Sequence, residues 1–425
     1  MFSIIRKMTK EIVLQHKLEK ERLLSKDYIE REKLDFGRKY LDSSLIKIVT
    51  GPRRAGKSVF SLLLLKDKDF AYINFDDEAI LKIKDYDEIL KSIHEVYPQT
   101  NIILFDEIQN LPDWELFVNK LQRRGFNLVL TGSNARLLSQ EMSNRLTGRY
   151  IPIEIFPFNF REVLRAKELK VGEEEFNLPE VKGRILNYLD DYLKKGGFPE
   201  VVVTNLEPRI YLQTLFDAIL LRDIVKRYNI RFSQKIYELS LYLTANFCNE
   251  FSFKRLTNIL EFRSTNTLQN YLRYLEETYL FFPLNRFSFK MQEVIKTPKK
   301  IYLVDNGFIP LLSSQNLGRL MENLVMTECL RRGFKSNENL FYYKTRNNKE
   351  VDFVLKEGLK IKGLIQVCYE MDNSLIRERE LKALVEASND LNCNELLVIT
   401  WDYKTQEKFK DKMIRFIPLW KWLLE

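Results

Sequence analysis

The residues best suited to chemistry lie together in Gly51-Pro52-Arg53-Arg54-Ala55-Gly56-Lys57-Ser58, with Val59 following. The spacing G-x-x-x-x-G-K-S is that of a phosphate-binding loop. Glycines let successive backbone N–H groups turn inward onto an anion, and the start of the next helix adds partial positive charge. Lys57 is expected to reach the β- and γ-phosphates of ATP, and Ser58 to ligate Mg²⁺. Downstream, the apolar run Ile102-Ile103-Leu104-Phe105 ends in Asp106-Glu107. Asp106 is expected in the Mg²⁺ shell and Glu107 as the general base for an attacking water. A further run, Leu128-Val129-Leu130-Thr131, leads into Gly132-Ser133-Asn134. Asn134, with Ser133 behind it, is read as the polar group positioning that water; a plain turn is the alternative. Arg145 and Arg149 flank Leu146-Thr147-Gly148, and either is a candidate for neutralising charge on the transferred phosphoryl group.

Groups so far apart need a sheet to collect them at one edge. Leu45–Thr50, Ala71–Phe75, Ile102–Phe105, Leu128–Thr131 and Tyr150–Ile155 read as strands. Val59–Leu65, Glu78–Val96 and Trp114–Arg124 read as the helices between them. Strands alternating with helices imply an α/β fold, a P-loop parallel sheet covered on both faces. The expected organisation is a helical segment over 1–40, the nucleotide core over 41–157 and a helical lid or linker over 158–215. A helical block over 216–310 and a small α/β domain over 311–425 complete it.

Composition narrows the chemistry. The only histidines among 425 residues are His16 and His94, which argues against a histidine metal site or a Ser-His-Asp hydrolase. The four cysteines form no CxxC pair and are too few for a disulfide framework. No apolar run approaches the ~18 residues of a membrane span, and the chain reads as soluble and cytoplasmic. Net charge is +9, and residues 222–300 alone carry 14 basic against 7 acidic side chains, so most of the excess is local. Within that block, Phe253–Leu260 and Thr267–Glu277 read as helices joined by the turn Ser264-Thr265-Asn266-Thr267. Tyr279–Pro283 and Arg286–Lys290 read as a hairpin, or wing. Such an arrangement docks on DNA through its second helix. Thr265, Asn266, Gln269, Asn270 and Arg273 would face the groove, and Lys254 and Arg255 the phosphates. A protein-interaction module is the alternative.

At these residues the chain resembles the AAA-like P-loop ATPases abundant in archaea and many bacteria. The resemblance rests on GPRRAGKS, YINFDDEAIL (72–81), LFDEIQNLPDWE (104–115), LTGSNARLL (130–138), LTGRY (146–150) and FPFNFREVL (156–164). It continues through YLKKGGFPEVV (192–202), LLRDIVKRYNI (220–230), KKIYLVDNGF (299–308) and NKEVDFVL (348–355). It implies an ATPase core, a winged-helix domain and a C-terminal restriction-endonuclease-like domain. In nucleases of that fold, an acid corresponding to Asp352 binds Mg²⁺ together with an acid-x-Lys triplet on the next strand. Here the triplet reads Gln366-Val367-Cys368. That leaves Asp352 and Glu322 as a poor cage for a hard cation, with Lys360 or Lys362 as substitutes for the missing lysine. The expectation is therefore an ATP- and Mg²⁺-dependent ATPase whose nucleotide state is coupled to DNA contact through the winged helix. An ATP-gated nuclease, or a nucleotide-dependent switch binding a protein partner, is the alternative. Oligomer formation stays open, because an arginine acting in trans needs a neighbouring subunit.

Overall fold

The computed structural model describes residues 2–134, 148–169, 172, 178–204, 206–311 and 316–425. The chain divides into two compact units, Met1–Phe156 and Pro157–Glu425.

The first unit opens with helices α1 (Phe2–Leu24) and α2 (Leu34–Leu41). Then follow β1 (Ile46–Thr50), α3 (Lys57–Leu65), β2 (Ala71–Asn74), α4 (Glu78–Leu81), α5 (Tyr86–Val96) and β3 (Ile102–Asp106). The unit ends with α6 (Trp114–Arg123), β4 (Asn127–Gly132) and β5 (Tyr150–Glu154). All five strands are parallel, in the order β2-β3-β4-β1-β5. Every residue of β1 and β3 is buried, as expected for strands covered on both faces. The two-residue period of the strands sends Ile48, Ile73, Ile103, Phe105 and Leu130 to one core and Val49, Tyr72, Leu104 and Val129 to the other.

The helical segment over 1–40 belongs to this unit. Val13 of α1 is fully buried in the first core, and Leu34 of α2 in the second. Helix α1 lies along β2, an edge strand, and takes up its outward backbone groups. The Asn74 N–H donates to His16 Nδ1 at 3.4 Å, and Lys20 Nζ donates to the Phe70 carbonyl at 2.9 Å. The other ring nitrogen, Nε2, lies 3.1 Å from Asp77 Oδ2. The single helix expected over Glu78–Val96 is two. Asp77 caps α4 through the Ala79 N–H, and Asp85 caps α5 through the Asp87 N–H. A short carboxylate competing for backbone N–H groups starts a new helix rather than continuing the old one.

The second unit begins with α7 (Phe160–Ala166), α8 (Pro179–Lys195), α9 (Pro199–Val203) and α10 (Pro208–Ala218), which runs on as a π-helix over Ile219–Lys226. Next come α11 (Ser233–Ala245), β6 (Glu250–Phe251), α12 (Phe253–Ile259), α13 (Thr265–Glu277), β7 (Phe281–Asn285), α14 (Met291–Lys296) and β8 (Lys299–Leu303). The three strands form an antiparallel sheet in the order β6-β8-β7. The hairpin partner differs from expectation: β7 pairs with β8, not with 286–290. Ile301, Tyr302 and Leu303 are fully buried and match the apolar face of β7, whereas Phe289 is 74% exposed. Last come α15 (Leu317–Arg331), β9 (Leu340–Lys344), β10 (Glu350–Glu357), β11 (Lys360–Cys368), α16 (Ser374–Leu391), β12 (Leu396–Thr400), β13 (Thr405–Phe409), β14 (Lys412–Pro418) and α17 (Leu419–Leu424). Their six strands make a mixed sheet, β13-β14-β12-β11-β10-β9. The apolar C-terminal run closes it, with Leu419, Trp420, Trp422 and Leu423 buried.

Candidate nucleotide site

The loop between β1 and α3 turns on backbone conformations that ordinary residues avoid. Gly51 has φ +145°, Arg54 +64° and Gly56 +88°. A Cβ on Gly51 would lie 1.9 Å from the Ile155 carbonyl oxygen, so only glycine fits where the loop passes β5. Lys57 begins α3 and is buried; its Nζ donates to the Pro52 carbonyl at 3.0 Å, bridging the loop's own mouth. Ala55 is fully buried, and its carbonyl accepts from Arg31 Nη1 at 2.9 Å. The other guanidinium nitrogen, Nη2, donates to the Phe156 carbonyl at 2.6 Å. Arg31, in the linker between α1 and α2, thus ties the loop to the exit of β5. No motif pointed to it.

Strand β4 lies between β1 and β3, so the groups at its end stand between the two halves of the site. Ser58 Oγ donates to Asp106 Oδ1 at 2.8 Å, joining the loop to the end of β3. Tyr72 donates to Asp106 Oδ2 at 3.2 Å, and Thr131 also donates to Asp106. Thr131 in turn accepts the Glu107 N–H at 2.9 Å. Burial, and then the neighbouring Glu107, pushes the Asp106 carboxyl up to about 6. Burial acts on Glu107 in the same direction, but Lys57 and hydrogen bonds from Gln109 and Ser133 outweigh it and hold that carboxyl below its ordinary value. Arg53 adds to the same field.

Glu107 has left-handed backbone, φ +51°. Its carboxylate accepts from Ser133 Oγ at 3.0 and 3.1 Å and from Gln109. Ser133 is thus a strand-end group in contact with Glu107, and Asn134 follows it as a buried residue. Arg149 is exposed and lies at the opposite end of the sheet. Its carbonyl accepts the N–H of Ile46, at the start of β1, whereas the loop leaves the far end of that strand. About five residues at ~3.3 Å each separate them, beyond an arginine's reach. Arg145 lies outside the described residues. The Ser58–Asp106 pair, with Lys57 and the helix start, fits a phosphate-bound Mg²⁺, since hydroxyl and carboxylate oxygens are the donors that ion takes.

In the second unit, Lys254, Arg255, Asn266, Gln269, Asn270 and Arg273 are exposed, while Thr265 is half-buried against Thr257. Glu322 and Asp352 both lie against one cation. The cation between them is neither Lys360 nor Lys362, which start β11 beside Glu357, but Lys300 from β8. The Gln366 amide donates to Glu380 at 2.6 Å, and the Cys368 thiol is buried. Among the described residues, no helix is long and apolar enough to cross a membrane.

The AAA domain family matches residues 43–164. Two domains of unknown function follow, DUF8612 over residues 186–317 and DUF4143 over residues 317–422. An uncharacterized protein of Methanocaldococcus jannaschii is 40% identical over 399 residues, spanning 89% of this chain and 88% of its own length. An uncharacterized protein of Haemophilus influenzae is 31% identical over 358 residues, spanning 78% of this chain and 84% of its own. Among solved structures, a Walker-type ATPase of Pyrococcus abyssi aligns with a TM-score of 0.43 at 15% identity, over 67% of this chain and 96% of that one. Cdc6p from Pyrobaculum aerophilum aligns with a TM-score of 0.28 at 14% identity, over 72% of this chain and 98% of that one.

Proposed function

Because the chain belongs to the family of the Methanocaldococcus and Haemophilus proteins and carries an AAA domain of the P-loop ATPase type, we propose that it hydrolyses ATP with Mg²⁺. The Ser58–Asp106 hydrogen bond carries this reading. It joins two groups 48 residues apart at one sheet edge, beside a buried lysine at a helix start. The loop amides and Lys57 hold the phosphates, and Ser58 and Asp106 hold the Mg²⁺ shell. Glu107 takes the proton of the attacking water once released from Ser133 and Gln109. The test is ATP turnover of Lys57→Ala and Glu107→Gln. Loss of nucleotide binding in the first and of hydrolysis with retained binding in the second is expected; wild-type turnover in both would overturn the assignment.

A second reading concerns the partner. The order helix, strand, two helices, strand, short helix, strand from α11 to β8, with the sheet order β6-β8-β7, supports a winged helix. The exposed Lys254, Arg255 and Arg273 favour DNA over a protein partner for it. Nucleotide state would then govern that contact. Charge neutralisation at Lys254 and Arg255 should weaken DNA binding and reduce the salt slope by about two. An unchanged slope would favour the protein-interaction switch.

A further inference from the structure

Lys300 is 2% exposed, and it stands among acids contributed by other elements. Its Nζ lies 2.7 Å from Glu322 Oε1 on α15 and 2.6 Å from Glu350 Oε1 on β10. Asp352 Oδ1, two residues further along β10, is 3.5 Å away. Tyr302, two residues along β8 and therefore on the same face, donates to Glu322 Oε1 at 2.7 Å. The second Asp352 oxygen accepts the Val367 N–H at 2.8 Å, fixing that carboxylate in place. An ammonium has three N–H donors, and three carboxylates face this one.

We infer that Lys300 is the built-in cation of a carboxylate cage, and that its ammonium and a divalent metal compete for the same position. Three carboxylates against one ammonium leave an excess of negative charge in a buried place. Lys344, 3.7 Å from Glu350 Oε2, offsets part of it. The oxygens sit 2.6–3.5 Å from nitrogen, the span of an ammonium's hydrogen bonds. Mg²⁺ binds such oxygens at about 2.0–2.1 Å and Ca²⁺ at about 2.3–2.6 Å, so a metal would draw them inward. Accordingly, among the described residues no group of His, Cys, Asp and Glu has the spacing of a metal site. A cavity of about 610 Å³ is lined in part by Gly318, Val367 and Glu380, and Val367 is the residue whose N–H holds Asp352. Lys300 also comes from the three-stranded sheet and its acids from elements around the six-stranded one, so the same contact fastens the two sheets together.

The test counts Mn²⁺ bound to the nucleotide-free full chain by electron paramagnetic resonance, for wild type, Asp352→Asn, Lys300→Ala and the double variant. Wild type and Asp352→Asn are expected to bind the same number. Lys300→Ala should gain one Mn²⁺ per chain, lost again in the double variant. Mn²⁺ bound by wild type and lost in Asp352→Asn would overturn the inference. So would a folded Lys300→Ala protein that gains none. Should Lys300→Ala fail to fold without metal, Mn²⁺ must restore its folding; no restoration counts against the cage.

Discussion

Arg31→Ala is the substitution whose effect follows most directly from the geometry. Arg31 is 7% exposed and donates to two backbone carbonyls, Ala55 at 2.9 Å and Phe156 at 2.6 Å. A hydrogen bond from a charged donor contributes about 1.5–3 kcal/mol, and both acceptors lose their arginine partner at once. Water entering the vacated volume restores part of this, so the expected loss is about 3–4 kcal/mol. In a unit of this size each kcal/mol lowers the midpoint by about 2–4 °C, so unfolding of the first unit should fall by about 10 °C. Arg31→Lys, keeping one of the two bonds, should lose about half. The loss should also be local: hydrogen exchange of the Gly51–Ser58 amides should accelerate before that of β1 or β3. Nucleotide affinity should drop with it, because the Ala55 carbonyl is held outward while the loop amides face the phosphates. Melting within about 1 °C of wild type, with unchanged loop exchange, would refute this account of the tether.

The raised value of Asp106, about 6, sets a pH dependence. A carboxyl raised in the folded state stabilises the empty protein fully below its unfolded value, and that contribution is lost as pH rises through about 6. Mg²⁺ needs the ionised form, so thermal stabilisation by Mg²⁺ and an ATP analogue should shrink from pH 7.5 to pH 5; equal shifts at both would count against Asp106 as a ligand. Ser133→Ala removes a donor from the Glu107 carboxylate. It should move the acid limb of the ATPase profile to higher pH, by about one unit at most, and an unmoved limb would mean that Ser133 does not tune the base. Gly51→Ala forces a Cβ to 1.9 Å from the Ile155 carbonyl at φ +145°. It should abolish nucleotide binding and destabilise the first unit more than Arg31→Ala, as read by the same exchange and melting measurements.

What the sequence revealed of the site depended on distance along the chain. Gly51–Ser58 and Asp106-Glu107 were legible because a loop, a strand end and a helix start are local objects with local composition. The run into Gly132-Ser133-Asn134 puts a polar group beside Glu107 in outline, and Ser133 makes such a contact. Tyr72 and Thr131 were invisible: each is an ordinary strand residue until the register sets it against Asp106. Arg31 lies 24 and 125 residues from the groups it bonds, and nothing in its neighbourhood distinguishes it from a solvated arginine. Lys300 follows Lys299 at the start of an otherwise apolar strand, where a lysine ordinarily marks a wet edge, and its acids arrive 22 to 52 residues later. The wing was misjudged for a related reason: 286–290 alternates like a strand, but only 299–303 carries residues the sheet can bury.

The helix along β2 has a consequence for the protein's behaviour in company. A five-stranded parallel sheet ends in two open rows of backbone donors and acceptors, and such rows recruit strands from other molecules. At β2 the exposed row is claimed at both ends by side chains, His16 on Asn74 and Lys20 on Phe70. A chain that lacked α1, or whose α1 had lifted away, would present β2 as a template to its neighbours. Helix α1 covers that row, and its shortening should first appear as concentration-dependent aggregation at an otherwise intact nucleotide site.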